Sequence, residues 1–234
     1  GWSVSLSADG TKVAIGAIGN DETDIDAGHV RIYNYNGTAW TQLGADIDGE
    51  AGGQYAGDNS GLSVSLSADG TKVAIGANAN DGNGFNSGHV RIYNYTPSGT
   101  ASWTQLGADI DGEASSDYSG ISVSLTADGT KVAIGAYAND GNGSSSGHVR
   151  IYNYTPSGTA SWTQLGADID GEASGDSSGY SVSLTADGTK VAIGAIGNDE
   201  TASSAGHVRI YNYNGTAWTQ LGADIDGEAA TDYS

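Results

Sequence analysis

One block of residues occurs four times along this chain, and that repetition limits its fold more than any other feature. Cutting before each G-x-S-V-S-L divides the 234 residues into units 1–60, 61–119, 120–178 and 179–234. Every unit carries G-x-S-V-S-L-(S/T)-A-D-G-T-K-V-A-I-G-A, a variable segment, G-H-V-R-I-Y-N-Y, a second variable segment, and W-T-Q-L-G-A-D-I-D-G-E-A. A period of this length marks an architecture in which each unit buries its apolar faces against its neighbours. The units are of two kinds. The first and fourth share N-D-E-T and the short N-G-T-A-W, whereas the second and third share N-D-G-N-G and the longer T-P-S-G-T-A-S-W. The order is therefore A-B-B-A.

Within a unit, the periodicity is that of strands. Ser3–Ser7 alternates small polar residues with Val4 and Leu6, the two-residue period of a half-buried strand. Asp9-Gly10 supplies a hairpin turn, and a second strand runs from Lys12 to Ala17. In the third, Val30 and Ile32 share one face, and Arg31, Tyr33 and Tyr35 share the other. W-T-Q-L-G-A-D-I from Trp40 reads as a fourth. No helical period appears.

Strand three is apolar or aromatic on both faces, which predicts a sheet covered on both sides. Strand two has Val13 and Ile15 on one face and only Ala14 and Gly16 on the other. Such sheets suit wedge-shaped spaces, and radially arranged four-stranded antiparallel sheets create them. The expected fold is all-β, a β-propeller with four four-stranded blades forming one repeat domain, complete or part of a larger ring or array. The K-V-A-I-G-A strands are expected towards the axis, with the Tyr-rich and Trp strands further out. A β-solenoid is the rival, but A-D-G-T-K reads as an antiparallel hairpin rather than a solenoid corner.

The ordered set G-x-S-V, G-A and G-x-V, as at Gly61 with Ser63-Val64, Gly76-Ala77 and Gly88 with Val90, resembles the FG-GAP repeat, the blade of the integrin α-subunit propeller. The resemblance recurs in all four units. It implies a propeller, seven-bladed in integrins, with adhesive function. Two departures stand out. The Pro of G-A-P is missing, and the Ca²⁺ loop of D-x-D-x-D-G type is replaced by the short S-A-D-G-T-K, whose single carboxylate cannot supply six to eight oxygens.

Charge narrows the partners. With 28 acidic against 8 basic residues the net charge is −20, which repels nucleic-acid phosphates and anionic membranes and attracts cations. No apolar run approaches the roughly 20 residues of a membrane span, so neither nucleic acid nor membrane insertion is expected. There is no cysteine, hence no disulfide or thiolate site. The chain shows no initiating Met and no signal-like segment, and reads as a processed form or an excerpt.

The acidic segment D-I-D-G-E is the cation candidate in each unit: Asp46, Asp48 and Glu50; Asp109, Asp111 and Glu113; Asp168, Asp170 and Glu172; Asp224, Asp226 and Glu228. Three carboxylates around a turn glycine could wrap Ca²⁺, with Asp58, Asp117, Asp176 or Asp232 close by in sequence. The competing reading is a turn in which Asp side chains cap backbone amides. The repeated His29, His89, His148 and His207 are expected to be structural, since a propeller spreads equivalent positions around its ring. The Arg31 and Lys12 positions are expected to pair with carboxylates. N-x-S/T sequons at Asn36, Asn94, Asn142, Asn153 and Asn214 offer N-glycosylation sites should the protein be secreted by a eukaryote.

No copy has diverged into the asymmetric polar constellation that catalysis requires, so no enzyme is expected. The leading expectation is an extracellular or cell-surface structural or adhesive module that packs with further copies of itself or with other extracellular proteins. The alternatives are a glycan- or ligand-binding propeller, using loops such as N-D-G-N-G and T-P-S-G-T-A-S-W, and a calcium-stabilised adhesion module.

Overall fold

The computed structural model describes residues 1–50, 57–97, 102–156 and 161–234. The first blade comprises β1 (Ser3–Leu6), β2 (Lys12–Ala17), β3 (His29–Tyr35), β4 (Trp40–Gln42) and β5 (Ile47–Asp48). The second follows with β6 (Ser63–Leu66), β7 (Lys72–Ala77), β8 (His89–Thr96), β9 (Ser102–Gln105) and β10 (Ile110–Asp111). The third has β11 (Ser122–Leu125), β12 (Lys131–Ala136), β13 (His148–Thr155), β14 (Ser161–Gln164) and β15 (Ile169–Asp170). The fourth has β16 (Ser178–Leu184), β17 (Lys190–Ala195), β18 (His207–Tyr213), β19 (Trp218–Gln220) and β20 (Ile225–Asp226). Each unit is one antiparallel sheet, so the all-β propeller architecture stands.

Two details correct the sequence reading. The stretch from Trp40 is two strands, not one: β4 pairs with the far end of β3 (Tyr35↔Trp40) and β5 with its near end (His29↔Asp48). Gly44, at φ 79°, turns the chain between them. The innermost strand is S-V-S-L rather than K-V-A-I-G-A, because β1, β6, β11 and β16 stand side by side along the inner rim. The Asp9-Gly10 hairpin is as expected. Gly10 adopts φ 69°, and the Asp9 carboxylate accepts hydrogen bonds from Ser7 Oγ and from Thr11 N and Oγ1.

Successive blades meet through complementary faces. The trailing face of the first blade presents Ala14, Val30, Ile32, Ile47 and Leu43, and it receives Val64, Leu66, Val73, Ile75, Tyr93 and Trp103 from the leading face of the second. The other two seams repeat this packing. Small residues on one side of K-V-A-I-G-A thus form the recess for the bulky side of the next blade. At Gly16, Gly76 and Gly135 a Cβ would overlap the carbonyl oxygen of the next blade's Gly61, Gly120 or Gly179. Ser3, Ser63 and Ser122 donate Oγ hydrogen bonds to those same carbonyls at 2.7–2.8 Å.

Polar seam contacts repeat just as regularly. Trp103, Trp162 and Trp218 each donate Nε1–H to a leucine carbonyl of the preceding blade, at 2.6–2.7 Å. Lys12, Lys72 and Lys131 reach forward to the carbonyls of Asp69, Asp128 and Asp187. The expected carboxylate partner for lysine is thus replaced by a backbone carbonyl in the next turn. Ile134 is fully buried at the second seam. Ile134→Ala should lower stability by about 2–5 kcal/mol, since the cavity it leaves adds to the lost transfer energy. Urea denaturation followed by tryptophan fluorescence checks this.

The arc does not close. Leu66, Leu125 and Leu184 are 7–8% exposed, whereas Leu6 is 61% exposed and Val4 68%. At the other end Ile225 is 56% exposed, against 4–6% for Ile47, Ile110 and Ile169.

Candidate functional site

The polar features of the chain converge at the seams rather than in any one loop. The first residue of the third strand in each blade is His29, His89, His148 or His207, and all four are buried. On the same face, two residues on, lies Arg31, Arg91, Arg150 or Arg209. The three interior arginines are 4–7% exposed and reach back across the seam. Their Nη2 donates to the carbonyl of Asp48, Asp111 or Asp170 at 2.8–3.0 Å. Their Nη1 lies 3.3–3.4 Å from Glu50, Glu113 or Glu172. Arg31, with no preceding blade among the described residues, donates Nε and Nη2 to its own Asp46 at 2.7–2.8 Å, which holds that carboxyl below its ordinary pKa.

The D-I-D-G-E carboxylates therefore divide. The first carboxylate faces its own blade's histidine: Asp109 Oδ2 is 3.7 Å from His89 Nδ1, and Asp168 Oδ2 is 3.9 Å from His148 Nδ1. The second, Asp48, Asp111 or Asp170, sits in the short fifth strand opposite that histidine and lends its carbonyl to the next arginine. The third, Glu50, Glu113 or Glu172, crosses the seam. Glu50 meets His89 and Asp109, and Glu113 meets His148 and Asp168, with ligand atoms within 4.8 Å of one another in each set. A larger set joins Glu172, Glu200, His207 and Asp224. In the first blade Glu22, His29, Asp46 and Asp48 gather without Glu50. Asp226 and Glu228 are exposed at the open end.

Sequence reasoning set the histidines aside because four equivalent positions cannot converge on an axis. The structure sets each beside carboxylates instead, within its own blade at His29 and across a seam that no single unit reveals at His89, His148 and His207. The one available signal was N-D-E-T, which puts Glu22 and Glu200 where the other units have Gly82 and Gly141.

Burial sets the protonation of this region. Loss of water lowers the His89 and His148 pKa values to about 4, helped by Arg91 and Arg150, so both imidazoles are neutral near pH 7. The Glu113 carboxyl is raised by burial and then by the charges of Asp168, Asp117 and Asp170, with Arg150 opposing. Asp117 and Asp176 cap the turn after D-I-D-G-E, accepting from the amides of Glu113 and Ala114 and of Glu172 and Ala173.

The N-D-G-N-G loops consume their own polar groups. Asn80 Nδ2 donates to Asp58, Gly82 N to Asn80 Oδ1, and Asn83 Nδ2 to the Gly112 and Glu113 carbonyls. The centre of each T-P-S-G-T-A-S-W loop, 98–101 and 157–160, lies outside the described residues. Among the sequons, Asn36 and Asn214 sit on exposed turns with Oδ1 accepting from two amides each. Asn94 and Asn153 lie within strand three. Asn142 commits its Nδ2 to the Gly171 and Glu172 carbonyls.

No family model matches the chain, and no curated protein matches it. The fold is shared with solved structures: a candidate 6-phosphogluconolactonase from Bacteroides uniformis ATCC 8492, at TM-score 0.59 and 12% identity, and another from Bacteroides fragilis NCTC 9343, at TM-score 0.59 and 13% identity. The superpositions cover 98% and 97% of this chain but 55% of each of those chains. The chain thus spans about half the length of the propellers it matches, and the likeness extends to the fold alone. The propeller implied by the FG-GAP resemblance is therefore what the structure shows, and membership of that family is not.

Proposed function

We propose that this chain is a non-enzymatic propeller arc, extracellular or on a cell surface, whose two bare end faces are covered by another copy of the same chain. One observation carries the reading. The exposed leading face of the first blade and the exposed trailing face of the fourth are the two halves of a seam that the chain already makes three times within itself. Trp2, Val4, Leu6 and Trp40 stand exposed at one end, and Leu221 and Ile225 at the other.

Charge matches as well as shape. Glu228 has no partner among the described residues, and Arg31 is turned aside onto Asp46, the two residues that an added seam would bring together. A groove of about 180 Å³ at Ser181, Ala192, Gly194 and Val208 is the recess into which a following blade fits. Fully burying a Val, Leu or Ile side chain contributes about 1.5–3 kcal/mol each, which several such side chains together set against the cost of association. Such head-to-tail contacts either close a ring or grow a filament. The absence of an asymmetric catalytic group in the sequence and the use of histidines in every seam support a structural rather than catalytic role.

Sedimentation over a wide concentration range tests this. Assembly to multiples of the chain mass is expected, reduced to monomer by Ile225→Lys, a residue exposed in the isolated chain. A chain that stays monomeric at high concentration contradicts the reading.

A second reading, recognition of a glycan, rests on Tyr118, Tyr137 and Tyr180. Their rings form a contiguous platform, with centroids 5.5 Å apart and stacked for the first pair, and 5.7 Å apart and edge-on for the second. Tyr137 occupies the variable position held by Ile18, Asn78 and Ile196 in the other units. Tyr180 is exposed and Tyr118 and Tyr137 are half-buried, and an aromatic cluster that reaches the surface suits sugar rings. Glycan-array binding that disappears in Tyr137→Ala would support it.

A further inference from the structure

We infer that the seam between the third and fourth blades is a binding site for a divalent transition-metal cation of the zinc type, with Glu172, Glu200, His207 and Asp224 as its ligands. Each offers one ligand atom, and the four atoms lie within 4.8 Å of one another. The acids alone would not make a site. What points to a ligand is His207, which is 0% exposed and whose two ring nitrogens have no hydrogen-bond partner among the described residues. Its Nδ1 faces Asp224 Oδ2 at 3.6 Å and Glu172 Oε2 at 4.0 Å. Those distances are too long for hydrogen bonds. They are close to the roughly 3.4 Å that separates two ligands of a tetrahedral ion with bonds near 2.0–2.1 Å. The His207 pairs thus lie within about 0.2–0.6 Å of that separation, and the exposed Glu200 side chain, within 4.8 Å of the other three, moves inward to complete the set.

The surroundings are arranged as an outer shell. The second oxygen of Glu172 faces Arg209 Nη1 at 3.3 Å. Gln220 Nε2 donates to the second oxygen of Asp224. The Glu200 amide donates to Asn198 Oδ1 at 3.0 Å, which fixes its turn. One oxygen of Glu172 and one of Asp224 are therefore held, and the other is directed at the imidazole. Three carboxylates against one guanidinium leave the set itself with two negative charges, and Asp176 and Asp199 in the adjoining cleft add to them, which favours a dication. An imidazole among only four ligands disfavours Ca²⁺, which takes six to eight oxygens, and favours a borderline cation. A cleft of about 430 Å³ lined by Glu172, Asp176, Asn198, Asp199 and Glu200 adjoins the site on the side of two of its ligands.

The same site gives the A-B-B-A order a chemical meaning. The other two interior seams have glycine, Gly82 or Gly141, where this one has Glu200, and among the described residues their sets have three members.

The test titrates Zn²⁺ alone into the chelator-stripped full chain by calorimetry, with Co²⁺ absorption reporting geometry. One tight site per chain with a tetrahedral Co²⁺ spectrum is expected. Glu200→Gln, on an exposed loop, should weaken that site by about 10–100-fold while leaving the metal-free melting temperature unchanged. His207→Gln should abolish the tetrahedral spectrum. The inference fails if no saturable uptake occurs, if Glu200→Gln binds as the parent does, or if Ca²⁺ binds as tightly as Zn²⁺.

Discussion

Gly135→Val is expected to break the seam between the third and fourth blades, lowering stability by about 3 kcal/mol or more and splitting thermal unfolding into two transitions. A side chain there overlaps the Gly179 carbonyl oxygen, which belongs to backbone held on both sides and cannot yield as a flexible side chain can. Repeat arrays are stable through the sum of unit and interface terms, so an array cut at one interface unfolds in parts. The same change at Gly194 provides the internal comparison. Gly194 occupies the identical place in β17, but its nearest contact is the rotatable Ser181 Oγ of its own blade. Gly194→Val should therefore alter the melting temperature of the monomer by only a few degrees. Calorimetry of the two variants beside the parent decides. Equal effects would mean that the clash lies within a blade and that the seam is not what holds neighbouring units together.

Acidification is expected to have an effect of similar size. His89 and His148 titrate at about 4 in the folded chain, chiefly because burial disfavours their charged form, and near 6.5 when unfolded. Between these values the unfolded chain binds more protons, so stability is complete above pH 6.5 and is lost as the pH falls towards 4. A shift of about 2.5 units corresponds to about 3 kcal/mol for each histidine. Part of that is offset: Glu113, Asp111 and Asp170 have raised values from burial and take up protons more readily when folded. Urea midpoints measured from pH 7.5 to 4.5 with a chelator present should fall steeply. The double variant His89→Gln/His148→Gln should show a much shallower slope. An unchanged slope would assign acid sensitivity to the carboxylates instead.

The first three strands and the hairpin were legible because the physics behind them is local. Val4 and Leu6 alternate, Asp9-Gly10 turns, and neither depends on a distant residue. The fifth strand was not legible. Trp40 to Ile47 keeps a strand-like composition throughout, and only the register shows that both halves pair with β3. The order from the axis was misjudged for a related reason. Ala14 and Gly16 are small because the next blade's Val64, Leu66 and Gly61 fill the space beside them, not because the strand lies at the crowded centre. The candidate site shows the same limit more sharply. Glu172 and His207 are 35 positions apart in different units, and each looks like an ordinary repeated residue until two blades are placed side by side. Of the four, Glu200 alone, standing with Glu22 of the first unit where a glycine stands in the second and third, broke the repetition.

Because every seam uses the same donors, the same recess and the same bulky residues, the packing of an interface does not record its position in the series, and only the loop carboxylate Glu200 marks the third. Unequal recombination between copies of the coding repeat could delete or insert a whole unit, and the new neighbours would already fit. Variation in length across a lineage would then demand no compensating substitutions in the interior, leaving natural selection free to act on the rim segments alone.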